Sequence, residues 1–262
     1  MVEPSLVTEE GKPRSNAREE PLSEEQIAAV DQAVDAGEVG VVFQPLVDLR
    51  TKRVFGYEAL ARPRTPHFAG PQELYHAAAR LGRVGELGRV FRRLAIQLCP
   101  QKPLFLNIFP SEFDEAFLVR TDDAIFFHRA AVYLEIVEAL PLSRFEQCHG
   151  VLAEIRARGC LLAIDDLGAG YSNLKYIAEL TPDVVKLDRE LVAGVRRDSR
   201  RFRLLRSIAR LCRDMSAKVV VEGVETAGEL EVATAIGADY CQGYFLARPA
   251  FPAPEVPPSI FR

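Results

Sequence analysis

Residues able to do chemistry recur at one kind of place in this chain. Apolar runs end in a charged or amide side chain: Asn107 after PLFL, Glu135 after VYL, Asp165 and Asp166 after LLAI, Lys186 and Asp188 in DVVKLD, Glu222 after KVVV, and Gln242 after DYC. Glu58 lies within a further run, RVFGYEALAR. A lone acid at a strand end is ordinarily a helix cap or a surface charge, but six runs ending this way are not explained by caps. Four or five carboxylates gathered around one cavity repel one another, and a cation must offset them. The donors are carboxylate and amide oxygens with no Cys–His set nearby, which suits Mg²⁺, Mn²⁺ or Ca²⁺ rather than zinc. The adjacent pair Asp165–Asp166 suggests two ions ~3.5–4 Å apart, the arrangement that cleaves phosphate esters. Lys186 has two readings on spacing alone: a fixed positive charge for a phosphate oxygen or attacking water, or a salt bridge to one of the acids.

These residues meet only if the elements carrying them converge. Ser23 and Gln26 form a capping-box start for IAAVDQAVDA, which stops at Gly37. VGVVFQP and RVFGYEALAR, separated by a turn at Asp48–Lys52, read as antiparallel strands. Pro71 opens the helix QELYHAAARLG, and ELGRVFRRLAIQL is another. PLFLNIF, AAVYLEIVE, CLLAIDD, DVVKLD and AKVVVEG read as apolar strands, and ADYCQGYF as a short last one. Between them lie the helices RFEQCHGVLAEIRARG, capped by Ser143 and Glu146, SNLKYIAEL, SRRFRLLRSIARLCRDM, and ELEVATAIG, capped by Thr226 and Glu229. Eight strands with helices after most of them predict a (β/α)₈ barrel with an irregular, partly antiparallel opening. Such a barrel brings the strand ends to one rim. Strand counting also admits an open doubly wound sheet.

DDLGAGYSNL follows a strand and precedes a helix, with Gly168 and Gly170 permitting a sharp loop and Ser172 as N-cap. It reads as a mobile active-site loop or an ordinary βα loop, since the third glycine of a dinucleotide fingerprint is missing. His67, His76, His128 and His149 lie away from the strand ends and receive no catalytic role. The Arg-rich helix carries an apolar stripe, Phe202, Leu204, Leu205, Ile208 and Leu211, and reads as a solvated face.

Composition sets the outer limits. The chain has 262 residues, 48% hydrophobic and 27% charged, enough for a full core. A net charge of −4 argues against a nucleic-acid polymer as partner. There is no 18-residue apolar run for membrane insertion, and residues 1–20 carry no signal-peptide core. Five scattered cysteines, never spaced as CxxC, predict reduced thiols in a cytoplasmic protein. The expected organisation is a disordered tail over 1–20, one barrel over 21–252, and a Pro-rich tail over 253–262.

Glu58-Ala59-Leu60 with Arg62 resembles the signature of the EAL-domain cyclic di-GMP phosphodiesterases. The resemblance continues through FQP (43–45), LFLN ending at Asn107, LEIVE (134–138), IDDLGAGYSNL, PDVVKLD, VEGVET and QGYFLARP, in order, from about residue 25 to about 250. It implies a TIM-like α/β barrel with an antiparallel first strand. It also implies metal-dependent hydrolysis of cyclic di-GMP to linear pGpG, with Mg²⁺ or Mn²⁺, two ions in all. By resemblance, Glu58, Asn107, Glu135 and Asp165 hold the first ion, and Asp165 and Asp166 the second. Lys186 and Glu222 position and deprotonate the attacking water, and Gln242 holds that water or the substrate. Gln44 and Arg62 contact substrate, Arg62 at a phosphate. Glu138 and Glu225 are supports, Asp188 stands beside Lys186 at the metal rim, and a homodimer is expected. Leu167, Phe109 and Leu246 depart from what the family often carries, and none of them removes a ligand. Relatives that only bind the dinucleotide usually lack one or more of the acids, whereas this chain keeps all of them, so the expectation is an enzyme.

Overall fold

The computed structural model describes residues 21–114, 118, 120–137, 145–168 and 175–261. In chain order they form α1 (Glu24–Asp35), β1 (Val39–Asp48), β2 (Arg53–Pro63), α2 (Pro71–Arg80), α3 (Val84–Leu98) and β3 (Leu104–Ile108). After 3₁₀ turns at Pro110–Asp114 and Ala124–Phe127 come β4 (Val132–Val137), α4 (Phe145–Ala157), β5 (Leu161–Leu167) and α5 (Lys175–Leu180). The chain continues through β6 (Val184–Leu187), α6 (Arg189–Val192), α7 (Arg200–Asp214), β7 (Lys218–Val221), α8 (Ala227–Ala235) and β8 (Tyr240–Cys241). Both capping boxes expected at described residues are made: Ser23 with Gln26 opens α1, and Thr226 with Glu229 opens α8. Ser143, Ser172 and the tail 1–20 lie outside the described residues.

The strands close into a barrel in the order β1 to β8, which removes the open-sheet alternative. β1 runs antiparallel to β2 and to β8, and the remaining pairs are parallel. Side chains along a strand alternate between its two faces. Outward residues such as Leu104, Leu106, Leu134, Ile164, Val185, Val219 and Val221 pack into the large core that includes helix residues. Inward residues Leu46, Phe105, Tyr133, Ala163, Val184 and Val220 form a separate apolar plug inside the barrel. Its floor is aromatic: Phe105 stacks on Tyr133 with centroids 4.3 Å apart, and Phe55 on Tyr240 at 4.4 Å.

The Pro-rich end, expected as a tail over 253–262, lies against the barrel. Ala250 exchanges backbone hydrogen bonds with Phe43 at 2.9 and 3.0 Å, and the Tyr57 hydroxyl donates to Pro254 O at 3.1 Å. Ala253, Val256, Ile260 and Phe261 are half-buried against the core. Proline keeps α-helix out of this stretch, which forms a 3₁₀ turn at Pro258–Phe261, but it does not prevent docking, because the chain still presents its apolar side chains to the barrel. Among the described residues no helix is long and apolar enough to cross a membrane.

Candidate active site

The plug fixes where the polar residues stand. Two residues beyond each plug position on the parallel strands, the next inward side chain is polar: Phe105 is followed by Asn107, Tyr133 by Glu135, Ala163 by Asp165, Val184 by Lys186, and Val220 by Glu222. On antiparallel β1 the direction reverses, and Gln44 precedes Leu46 by two. Glu58 is paired with Gln44 across β1 and β2, and Gln242 follows β8 with its amide on Val221 O at 2.9 Å. Period two thus stacks a polar layer directly on an apolar one.

Asp165 and Asp166 are neighbours, and on a regular strand they would face opposite ways. The β5–β6 register shifts between Ile164 and Leu167, and Asp166 adopts φ +56°. Aspartate is one of the few non-glycine residues tolerated there. Both carboxylates consequently line the same two cavities.

Lys186 is fully buried at the centre of the acids. Its Nζ lies 2.7 Å from Glu135 Oε1, 2.8 Å from Asp165 Oδ1, 2.8 Å from Glu222 Oε1 and 3.6 Å from Glu58 Oε2. Burial disfavours its charge, but Asp165, Glu135, Glu222 and Glu58 together hold the ammonium protonated well above the usual lysine range. Of the two sequence readings, the salt bridge is the one present among the described residues.

One ammonium does not balance five carboxylates. Burial raises Glu135 well above the carboxylate range against the pull of Lys186, and Glu58 and Asp165 add to the rise. Glu222 is raised in the same way, by burial first and by Asp165 and Glu58. Burial, then the charge of Asp165, lifts Asp166 to about 6. Glu135 Oε1 and Asp165 Oδ1 are buried and have Lys186 Nζ, at 2.7 and 2.8 Å, as their ionic partner, with no further hydrogen-bond donor among the described residues. Carboxylate oxygens from Glu58, Glu135 and Asp165 lie within 4.8 Å of one another, as do oxygens from Asp165, Asp166 and Glu222. Two acid clusters therefore share Asp165. Oxygen donors with unused lone pairs and excess negative charge fit hard divalent cations.

Amides tie the acids together. Asn107 Nδ2 donates to Glu58 Oε1 and Glu135 Oε2, each at 3.1 Å. Gln242 Nε2 donates to Glu58 Oε2 at 2.5 Å and to Gln44 Oε1 at 3.0 Å, while Gln44 Nε2 reaches Ala247 O at 3.3 Å. Gln242 Oε1 is buried and accepts no hydrogen bond among the described residues.

Two cavities open beside this layer. The first, about 330 Å³, is lined by Gln44, Glu58, Asp165, Asp166, Glu222 and Gln242, and also by Leu60, Arg189, Glu225 and Tyr244. The second, about 580 Å³, shares Glu58, Asp165 and Asp166 and adds Asn107 and an apolar wall of Tyr75, Phe91 and Phe109. Phe109 stacks on Tyr75 with centroids 3.8 Å apart.

Other expected site residues fall at the margin. Arg62 lies beyond Leu60 on β2, but its Nη1 donates to Ala61 O at 2.8 Å and it lines neither cavity. Asp188 accepts from Glu190 N at 2.6 Å and caps α6, the ordinary role of a strand-end acid. Glu225 lines the first cavity and pairs with Arg189 at 2.7 Å. Glu138 lies outside the described residues. Sequence reasoning assigned no role to Arg189 or Tyr244; Arg189 directly follows PDVVKLD and Tyr244 lies within QGYFLARP, so position alone could have marked them.

Known proteins match this chain over most of its length. Cyclic di-GMP phosphodiesterase RocR of Pseudomonas aeruginosa is 31% identical over 90% of this chain and 65% of its own length. The uncharacterised protein y4lL of Sinorhizobium fredii is 32% identical over 83% of this chain and 27% of its own. This chain thus spans less than two thirds of either curated relative. Among solved structures, Klebsiella pneumoniae BlrP1 in a manganese/cyclic di-GMP complex superposes with a TM-score of 0.72 at 29% identity, covering 84% of this chain and 58% of that one. The family model described as EAL domain matches residues 27–249, and the chain belongs to the EAL domain family.

Proposed function

We propose that this chain hydrolyses one phosphodiester bond of cyclic di-GMP, giving linear pGpG, with Mg²⁺ or Mn²⁺ as cofactor and two ions per site. The observation that carries this reading is the pair of acid clusters sharing Asp165, with five carboxylates against the single ammonium of Lys186. Glu58, Asn107, Glu135 and Asp165 would hold the first ion, and Asp165 and Asp166 the second. A half-turn of the Asn107 amide exchanges Nδ2 for Oδ1 as the group facing Glu58 and Glu135. Bound divalent metal supplies Lewis-acid charge at a phosphoryl oxygen and lowers the pKa of water.

The chain's own residues do the rest. Glu222 takes a proton from the attacking water, a role supported by its place on the cavity wall beside Asp165 and Asp166. Lys186 fixes the mutual spacing of Glu135, Asp165 and Glu222 and orients that water. Gln242 Oε1 accepts a hydrogen bond from the water or the substrate. Gln44 contacts substrate, and Arg62 reaches a phosphate once its guanidinium leaves Ala61 O. The wall of Tyr75, Phe91 and Phe109 offers apolar area to a guanine base. Glu138 and Glu225 support the loops around the site, and Asp188 holds the start of α6. Residues 21–252 form the catalytic unit, which works as a homodimer in the bacterial cytoplasm.

The test is purified protein incubated with cyclic di-GMP and Mg²⁺ or Mn²⁺, with products separated by chromatography. pGpG should accumulate with metal, and none should form in excess chelator. Tight binding without turnover under any divalent metal would identify a binding module instead.

A further inference from the structure

Arg189 is a charged group on the cavity wall that the reaction above does not use. It opens α6 directly after Asp188, and its stem crosses the turn that carries Glu222. Gly223 makes that crossing possible: at φ +61°, a Cβ there would stand 2.5, 2.6 and 2.8 Å from Arg189 Cβ, Cγ and Cδ. The tip is held as well. Arg189 Nη2 donates to Glu225 Oε2 at 2.7 Å, and Glu225 N donates at 2.8 Å to Glu229 Oε2, the carboxylate of the α8 capping box. One arm of the guanidinium is thus anchored, while the side chain remains 54% exposed at the cavity mouth.

Charge gives this placement its meaning. Of the side chains lining the first cavity among the described residues, Glu58, Asp165, Asp166, Glu222 and Glu225 are acidic, and Arg189 is the cation. A cyclic dinucleotide brings two phosphates on opposite sides of its ring. The one being cleaved belongs over the carboxylate layer. The other points toward the mouth, where Arg189 is the one positive side chain of this lining among the described residues, against five carboxylates. We infer that Arg189 binds the uncleaved phosphate of the cyclic dinucleotide, keeping Glu225 on one nitrogen and offering its remaining N–H groups to phosphate oxygens. This rests on the functional reading above and adds a substrate-positioning residue to it. A guanidinium suits the task because its planar fork serves two anions at once, which a lysine ammonium does less well.

The experiment compares wild type, Arg189→Gln and Arg189→Lys. It uses steady-state hydrolysis of cyclic di-GMP, calorimetric binding of the same ligand with Ca²⁺ in place of Mg²⁺, and thermal melting. Arg189→Gln should raise KM and Kd about tenfold, the loss of one charge-assisted contact. Its kcat should stay within a few-fold of wild type and its melting temperature should not move. Arg189→Lys should recover part of the lost affinity. Wild-type KM and Kd in Arg189→Gln, or a loss confined to kcat, would overturn the assignment. A wild type that neither binds nor cleaves cyclic di-GMP would overturn the functional reading and this one with it, so the two failures are told apart by the wild-type measurement.

Discussion

Glu222 and Glu58 touch the same ammonium yet should fail differently when replaced. Glu222 hangs at the end of β7 with Lys186 at 2.8 Å; burial, with Asp165 and Glu58, raises its proton affinity against the pull of that ammonium. Glu222→Gln keeps the shape and removes the base. The expected loss in kcat is ~10²–10⁴-fold, the range for removing a general base, with cyclic di-GMP affinity preserved. Glu58 instead accepts from Asn107 and Gln242 and belongs to the cluster with Glu135 and Asp165. Glu58→Ala should therefore lose binding and turnover together. Chromatographic turnover and calorimetric affinity on both variants separate the roles; wild-type turnover in Glu222→Gln would remove that residue from the mechanism.

At the scale of elements, the segment after β3 is pinned by ions rather than by regular structure. Arg92 of α3 is fully buried, with Nη1 2.6 Å from Glu112 Oε2 and Nη2 3.1 Å from Asp123 Oδ2. Glu112 Oε1 accepts from Phe109 N at 3.1 Å, two residues beyond Asn107. Burial raises the Glu112 carboxyl even against the pull of Arg92, so the pair is held against a desolvation cost. α3 comes this close because residue 88 is glycine: a Cβ there would lie 2.1 Å from Glu112 Oε2. Arg92→Met leaves two buried carboxylates without their cation. The expected cost is ~3–5 kcal/mol, measured by urea denaturation. A change below ~0.5 kcal/mol, the size of an ordinary surface substitution, would contradict this account.

For the molecule as a whole, the acid layer is a store of repulsion inside a closed barrel, and divalent cations should relieve it. A ligand at one hundred times its Kd stabilises by about 2.7 kcal/mol. At ~2–4 °C per kcal/mol for a domain of this size, Mn²⁺ should raise the melting temperature by about 5–10 °C over chelator-treated protein. The rise should shrink in Asp165→Asn, since Asp165 belongs to both acid clusters. Equal melting temperatures with and without Mn²⁺ would mean the layer does not bind the ion.

The sequence by itself determined the alternation of strands and helices and the polar strand ends, while strand counting left closed barrel and open sheet both standing until β8 was seen to pair with β1. The reason is periodicity: apolar strands ending in acids, spaced by capped amphipathic helices, admit few arrangements, and the family's motifs lie along the same strands. It also yielded the capping boxes of α1 and α8, because a cap is a local contact within four residues. What it left open was set by contacts between segments far apart in the chain. Whether Lys186 would face phosphate or acids depended on four strands converging on one ammonium. That Asp166 shares a cavity with Asp165 depended on a register shift against β6. Asp188 became a helix cap and Arg62 turned away from the cavities, although both carry charge in the expected motifs. The buried Arg92 ion cluster and the docking of the Pro-rich end had no periodic signal at all. Local pattern encodes which face of an element is apolar; it does not encode which distant partner a charged side chain will find once the barrel closes.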